Sequence, residues 1–125
     1  MGYRSDVRFL VPLADYEKLK GDCQAKYGGD SYFNCLDKEE IRKDRDGKEF
    51  MYFGWNDIKW YTNQNDRNYQ ELDEIEDAVH AFEQYQQVKI GEDYSDIEND
   101  WNLGDSSVDC ILIVRAFDES PREDK

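Results

Sequence analysis

Leu72, Ile75, Val79 and Phe82 recur at spacings of three, four and three, the period of one helix face. Around that stripe the sequence is acidic. Glu71, Asp73, Glu74, Glu76, Asp77 and Glu83 fill most remaining positions, and no Lys or Arg stands among them. A helix of this kind has no i,i+4 ion pairs to support it and some self-repulsion to overcome. It can persist only by docking its apolar stripe on a core. Asn68 followed by Glu71 reads as a capping box, so the pattern predicts a helix over 69–84 with its carboxylates on the outer face.

The charge extends beyond the helix. Asp66 to Asp105 holds thirteen acids against two bases, a formal charge of −11 out of −14 for the whole chain. Such a field repels phosphate and attracts cationic surface. Lys38, Arg42, Lys43, Arg45 and Lys48 do cluster, but Asp37, Glu39, Glu40, Asp44, Asp46 and Glu49 interleave and cancel them. Direct nucleic-acid binding needs a net basic stripe and is not expected.

A chain of 125 residues is long enough to bury one core unaided. Its 14% aromatic content argues for a folded domain despite the low hydropathy. The expected organisation is a single domain over 1–118 with a disordered tail over 119–125. The longest apolar run, Cys110 to Val114, has strand length, so no membrane span is expected. The first residues lack the apolar core of a signal peptide. Cys23, Cys35 and Cys110 are odd in number and form no CxxC pair, which suits free thiols in a reducing cytoplasm.

Periodicity supplies the remaining elements. Val7, Phe9 and Val11 alternate, predicting a half-buried strand over 3–12 that Pro12 ends. Tyr16, Leu19, Cys23 and Tyr27 predict a helix over 15–27, stopped by Gly28-Gly29. Asp37 with Glu40 fits the start of a short helix over 38–43, and Asp44 to Gly47 reads as a turn. An aromatic segment predicts one long bent strand over 49–61, or two short ones, interrupted by a bulge or tight turn near Gly54 and Asn56-Asp57. Val88 and Ile90 mark a short strand over 87–92. Residues 92–101 read as an acidic loop with Tyr94, Ile97 and Trp101 as apolar anchors. Val108 to Phe117 reads as a last strand, buried on both faces. The class is α+β: a mainly antiparallel sheet of about four strands, with two principal helices packed on one face.

No catalytic pattern accompanies this fold. His80, the single histidine, has no nucleophile or orienting carboxylate in its sequence context. Asp96, Glu98 and Asp100 are spaced like the start of a calcium loop. Trp101 stands where the sharp-turn glycine belongs, and Ser107 where the bidentate Glu belongs. Zinc-ligand spacing and phosphate-binding glycine motifs are missing. No catalytic residue, metal or cofactor is therefore predicted, and an enzyme is not expected.

Interaction remains. Carboxylates one helical turn apart lie about 5–6 Å from one another, near the spacing of backbone phosphates. Aromatic anchors within an acidic rim resemble interface hot spots. The candidate partner-binding residues are Glu71, Glu74 and Asp77 on the helix, and Glu92, Asp93, Tyr94, Asp96, Glu98 and Trp101 on the loop. Their partner would be a protein with a basic surface, engaged or inhibited, with nucleic-acid mimicry as one route. The alternative is a homo-oligomeric structural or virion-associated protein whose acidity serves solubility, with Phe53, Trp55 and Trp60 as interface anchors.

Three stretches carry a family resemblance: Gly2-Tyr3-Arg4-Ser5-Asp6-Val7, Ile58-Lys59-Trp60-Tyr61, and Ile90 through Glu98. In these the chain resembles small acidic proteins of unknown function encoded by phages and prophages. The resemblance implies an accessory protein acting in the bacterial host cytoplasm. It brings no activity, cofactor or catalytic residue.

Overall fold

The computed structural model describes residues 5–58, 70–91, 97–104, 113–114 and 116–117. The elements run β1 (Ser5–Pro12), α1 (Leu13–Tyr27), two short 3-10 turns (Gly28–Asp30 and Tyr32–Cys35), β2 (Lys38–Lys43), β3 (Glu49–Ile58), α2 (Gln70–Ala81), β4 (Tyr85–Gly91), β5 (Ile97–Asn102), β6 (Ile113–Val114) and β7 (Ala116–Phe117). The first five strands form one antiparallel sheet in the order β2-β3-β1-β4-β5. The fold is α+β as expected, with five strands in the main sheet.

β1 is the central strand, and it is buried on both faces rather than half-buried. Val7, Phe9 and Val11 point to the helices and join Tyr16, Leu19 and Cys23 of α1 and Leu72, Ile75 and Val79 of α2. Leu10 points the other way and packs with Phe50, Tyr52, Val88 and Leu103. Both helices thus lie on one face. Burying Leu72, Ile75 and Val79 completely stabilises α2 by roughly 2 kcal/mol each, whereas a like-charge i,i+4 pair costs a few tenths. Packing wins, and the acidic helix forms. Its start at Asn68 lies outside the described residues.

Further expectations about local structure are corrected. Residues 38–43 are a strand, not a helix. Asp37 does not cap: its Oδ2 accepts from the Asn56 N–H at 2.8 Å, and its own N–H donates to the Gly54 carbonyl at 3.0 Å. The turn at Asp44–Gly47 folds the chain back, with Asp44 Oδ1 accepting from the N–H groups of Asp46 and Lys48, both at 2.9 Å. Strand pairing then sets the Arg42 guanidinium over the Tyr52 ring at 4.0 Å, a contact no isolated helix could make. The second correction concerns 97–101, expected as loop: Ile97–Asn102 is a strand that pairs with β4 from Ile90↔Ile97 to Tyr85↔Asn102.

The interruption in β3 is a bulge. Ser5 pairs with Ile58 but Val7 with Trp55, so β3 carries one extra residue there. Asp57 takes a positive φ of 52°, and its N–H donates to Asp6 Oδ1 at 2.8 Å. In the expected last strand, Ile113–Val114 pairs with Ala116–Phe117 in a separate two-stranded sheet, so its described residues are not a central strand of the main sheet. The expected tail over 119–125 lies outside the described residues. No helix among those described is long and apolar enough to cross a membrane.

Candidate functional site

The acidic face of α2 is less bare than its sequence. Glu71 was expected on the outer face, yet it is 3% exposed. One carboxylate oxygen accepts from the Ser31 hydroxyl at 2.6 Å and the other from the Tyr32 N–H at 2.8 Å. Burial raises its pKa above the ordinary range, and these two bonds only partly offset that. The capping-box position has become an anchor that ties α2 to the 3-10 turns.

Glu74 accepts from the Lys26 ammonium of α1 and from the Tyr27 hydroxyl at 2.9 Å. Burial opposes its ionisation, but Lys26 and Tyr27 outweigh it and hold the pKa low. Glu76 meets Lys89 of β4 at 3.0 Å and accepts from the Gln87 side-chain amide at 2.7 Å. The missing cations of α2 are supplied by its neighbours. Of Glu71, Glu74 and Asp77, only Asp77 is exposed.

A polar cleft opens between α2 and the β4–β5 pair, lined by Glu76, His80, Gln87, Lys89, Glu98 and Asp100. Because the Gln87 amide nitrogen donates to Glu76, its oxygen faces His80, 2.6 Å from Nε2. His80 Nε2 therefore carries the proton and donates. The ring lies against Tyr85 with centroids 5.2 Å apart. Asp100 stands 3.5 Å from His80 and Glu98 stands 3.6 Å from Lys89. No hydroxyl or thiol nucleophile is among these six residues, and the charges are held by one another. Among the described residues no three His, Cys, Asp or Glu side chains converge as a metal site requires.

β5 is the outermost strand beside this cleft, and all six of its residues are exposed. Register with β4 gives it two faces. Glu98 and Asp100 lie on the helix side, across from Lys89 and Gln87. Ile97, Asn99 and Trp101 lie on the opposite side, across from Ile90, Val88 and Gln86. Trp101 is 63% exposed and Ile97 40%, so neither is a core anchor. The structure thus brings Glu98 and Trp101 together on one strand and adds Asp100, Ile97 and the neighbouring Lys89 and His80. The signal in sequence was the alternation from Ile97 to Trp101. Glu92, Asp93, Tyr94 and Asp96 lie outside the described residues.

The aromatic anchors proposed for an oligomer interface are placed differently. Phe53 and Trp55 are buried in the core, with Trp55 Nε1 donating to the Tyr32 carbonyl at 2.9 Å. Trp60 lies outside the described residues. No family model matches this chain, and neither a curated protein nor a solved structure matches it.

Proposed function

We propose that the chain is an acidic protein-binding module that engages a protein with a basic surface. The resemblance noted above suggests the setting: a phage accessory protein acting on a host protein in the bacterial cytoplasm. The observation that carries this reading is β5, an edge strand with every residue exposed, an outward tryptophan and two acids. Exposed aromatics beside a charged rim are the usual anchors of interfaces, and a charge of −14 steers cationic surfaces toward it. Mimicry of a phosphate row by α2 alone has less support, because Glu71 is buried and Glu74 is bound within the molecule.

Affinity purification from bacterial lysate tests the reading. The wild-type chain should retain a protein with a basic surface that 0.5 M NaCl releases, since salt at that strength screens beyond a few ångströms. A variant combining Glu98→Gln, Asp100→Asn and Trp101→Ala should lose it while keeping its circular dichroism. Equal recovery on both chains would overturn the proposal.

A further inference from the structure

Resting on that reading, we infer that β5 takes an extended segment of the partner as a sixth strand, and that the segment alternates Lys or Arg with apolar side chains. Among the described residues β5 pairs only with β4, so its other edge offers main-chain donors and acceptors. Its two faces differ in chemistry at period two. Glu98 and Asp100 on one face are 69% and 59% exposed in their side chains. Ile97 and Trp101 on the other form an apolar pair flanking Asn99. A strand laid alongside places its own side chains alternately against these two faces. The matching sequence is therefore cation, apolar, cation, apolar.

The two acids have acceptor capacity to spare. Lys89 makes its shorter contact, 3.0 Å, with Glu76 and stands 3.6 Å from Glu98. His80 makes its shorter bond, 2.6 Å, with Gln87 and stands 3.5 Å from Asp100. Asp100 Oδ1 also accepts from the Tyr85 hydroxyl at 3.3 Å, yet each carboxylate oxygen keeps a further lone pair, so an incoming Lys or Arg can still bond both exposed acids.

The opposite edge of the sheet is built to refuse a strand. β2 carries Lys38, Glu39, Glu40, Arg42 and Lys43 around one apolar residue, Ile41, and mixed charges with lysine blunt an edge. β5 has no lysine, arginine or proline. A second copy of the chain fits β5 poorly. The antiparallel register that pairs Ile97 with Trp101 of another copy also sets Glu98 opposite Asp100 twice, between molecules of charge −14. Like charges directly opposite destabilise a strand pair.

Three fluorescein-labelled decapeptides test this by anisotropy against the full chain. One alternates Lys and Val, a second holds the same residues in two blocks, and a third alternates Glu and Val. The alternating basic peptide should bind at least about tenfold more tightly than the block peptide, and the acidic one should not bind. N-methylation of its alternate amides should abolish binding in one phase and spare it in the other, because only one set of N–H groups faces β5. Trp101→Ala and Glu98→Gln/Asp100→Asn should each weaken it about tenfold, and hydrogen exchange should show new protection within 97–102. Equal affinity for alternating and block peptides would overturn strand addition while leaving a basic partner in place. No binding of the alternating peptide, or indifference to both methylation phases, would overturn it as well. Light scattering that shows a dimer with 97–102 already protected would assign the edge to a second copy instead.

Discussion

Gly54 lies so close to Val7 across the β1–β3 pair that a Cβ built on it would stand 1.9 Å from the Val7 carbonyl oxygen and 2.9 Å from Arg8 Cδ. The nearer atom is backbone in the central strand, so it cannot swing aside. Gly54→Ala should therefore part the strands where the bulge begins. The expected cost is about 3 kcal/mol or more, read as a lower urea midpoint. A midpoint equal to wild type would mean that the strands separate freely there.

Glu71 should show its burial in the pH profile. Its folded pKa is raised, so its contribution is fully present below the ordinary value of 4.5 and is lost as pH rises through the higher folded value. Glu71→Gln can keep a partner for both Ser31 and Tyr32. It should gain on wild type as pH climbs from 4.5 to the raised folded value and keep that gain above it. Glu71→Ala leaves a buried hydroxyl and an N–H without their acceptor and should cost about 1–3 kcal/mol at neutral pH. Thermal melts from pH 4 to 8 measure both, and parallel curves for Gln and wild type would contradict the raised pKa.

Glu39 should behave in the opposite sense. The Tyr16 hydroxyl, and after it the Lys20 ammonium 3.0 Å away, hold its pKa below the ordinary 4.5. Its contribution is present above the unfolded value and disappears as pH falls through the depressed folded one. Tyr16→Phe removes the stronger donor. With Glu39 partly in solvent, the loss at pH 7 should be about 1 kcal/mol, and it should shrink as the solution is acidified. A loss that is constant down to pH 3 would assign the effect to packing alone.

Cys23 should resist alkylation. Burial first, then the charges of Glu71 and Glu74, push its thiol up to about 12, and the thiolate is the reactive form. Iodoacetamide at pH 8 should leave Cys23 unmodified in the folded protein and label it in urea, as read by peptide mass spectrometry. Ready labelling of the native chain would show that α1 opens from the sheet.

The surface assigned to binding should be nearly silent in stability. Trp101→Ala removes an exposed side chain, and such changes usually fall within about 0.5 kcal/mol. Chemical denaturation separates this from the core: Trp55→Ala should cost about 3–5 kcal/mol. A large loss at Trp101 would make it a structural residue.

Helix α2 and strand β1 were legible because each is written in local spacing, Leu72, Ile75 and Val79 along one helix face and Val7, Phe9 and Val11 along one strand face; that β1 is central and buried on both faces was not. The rest depends on partners far along the chain. Glu71 looked solvent-facing because Ser31 and Tyr32, which bury and bond it, are absent from its own helix. Asp37 with Glu40 resembled a helix start, and only the pairing of Arg42 with Phe50 and Glu40 with Tyr52 decides for a strand. β5 was hidden by composition, since Glu, Asn and Asp are poor strand formers. What recruits it is the register offered by β4. The candidate surface was therefore half visible: its acids and Trp101 could be named, but their division between two faces of one strand could not.

The central place of β1 also bears on synthesis. β1 is made before both strands that flank it, and these come much later: β3 aligns Pro12 with Phe50, and β4 aligns Ser5 with Gly91. Until β4 emerges, β1 can be satisfied along one side only, with Val7, Phe9, Leu10 and Val11 beside an open edge. Pairings this distant fold slowly, and unpaired apolar edges invite aggregation. A nascent chain halted before Gly91 would hold its central strand half-paired, but it would already carry the acids that precede β4, whose mutual repulsion keeps unfinished chains apart.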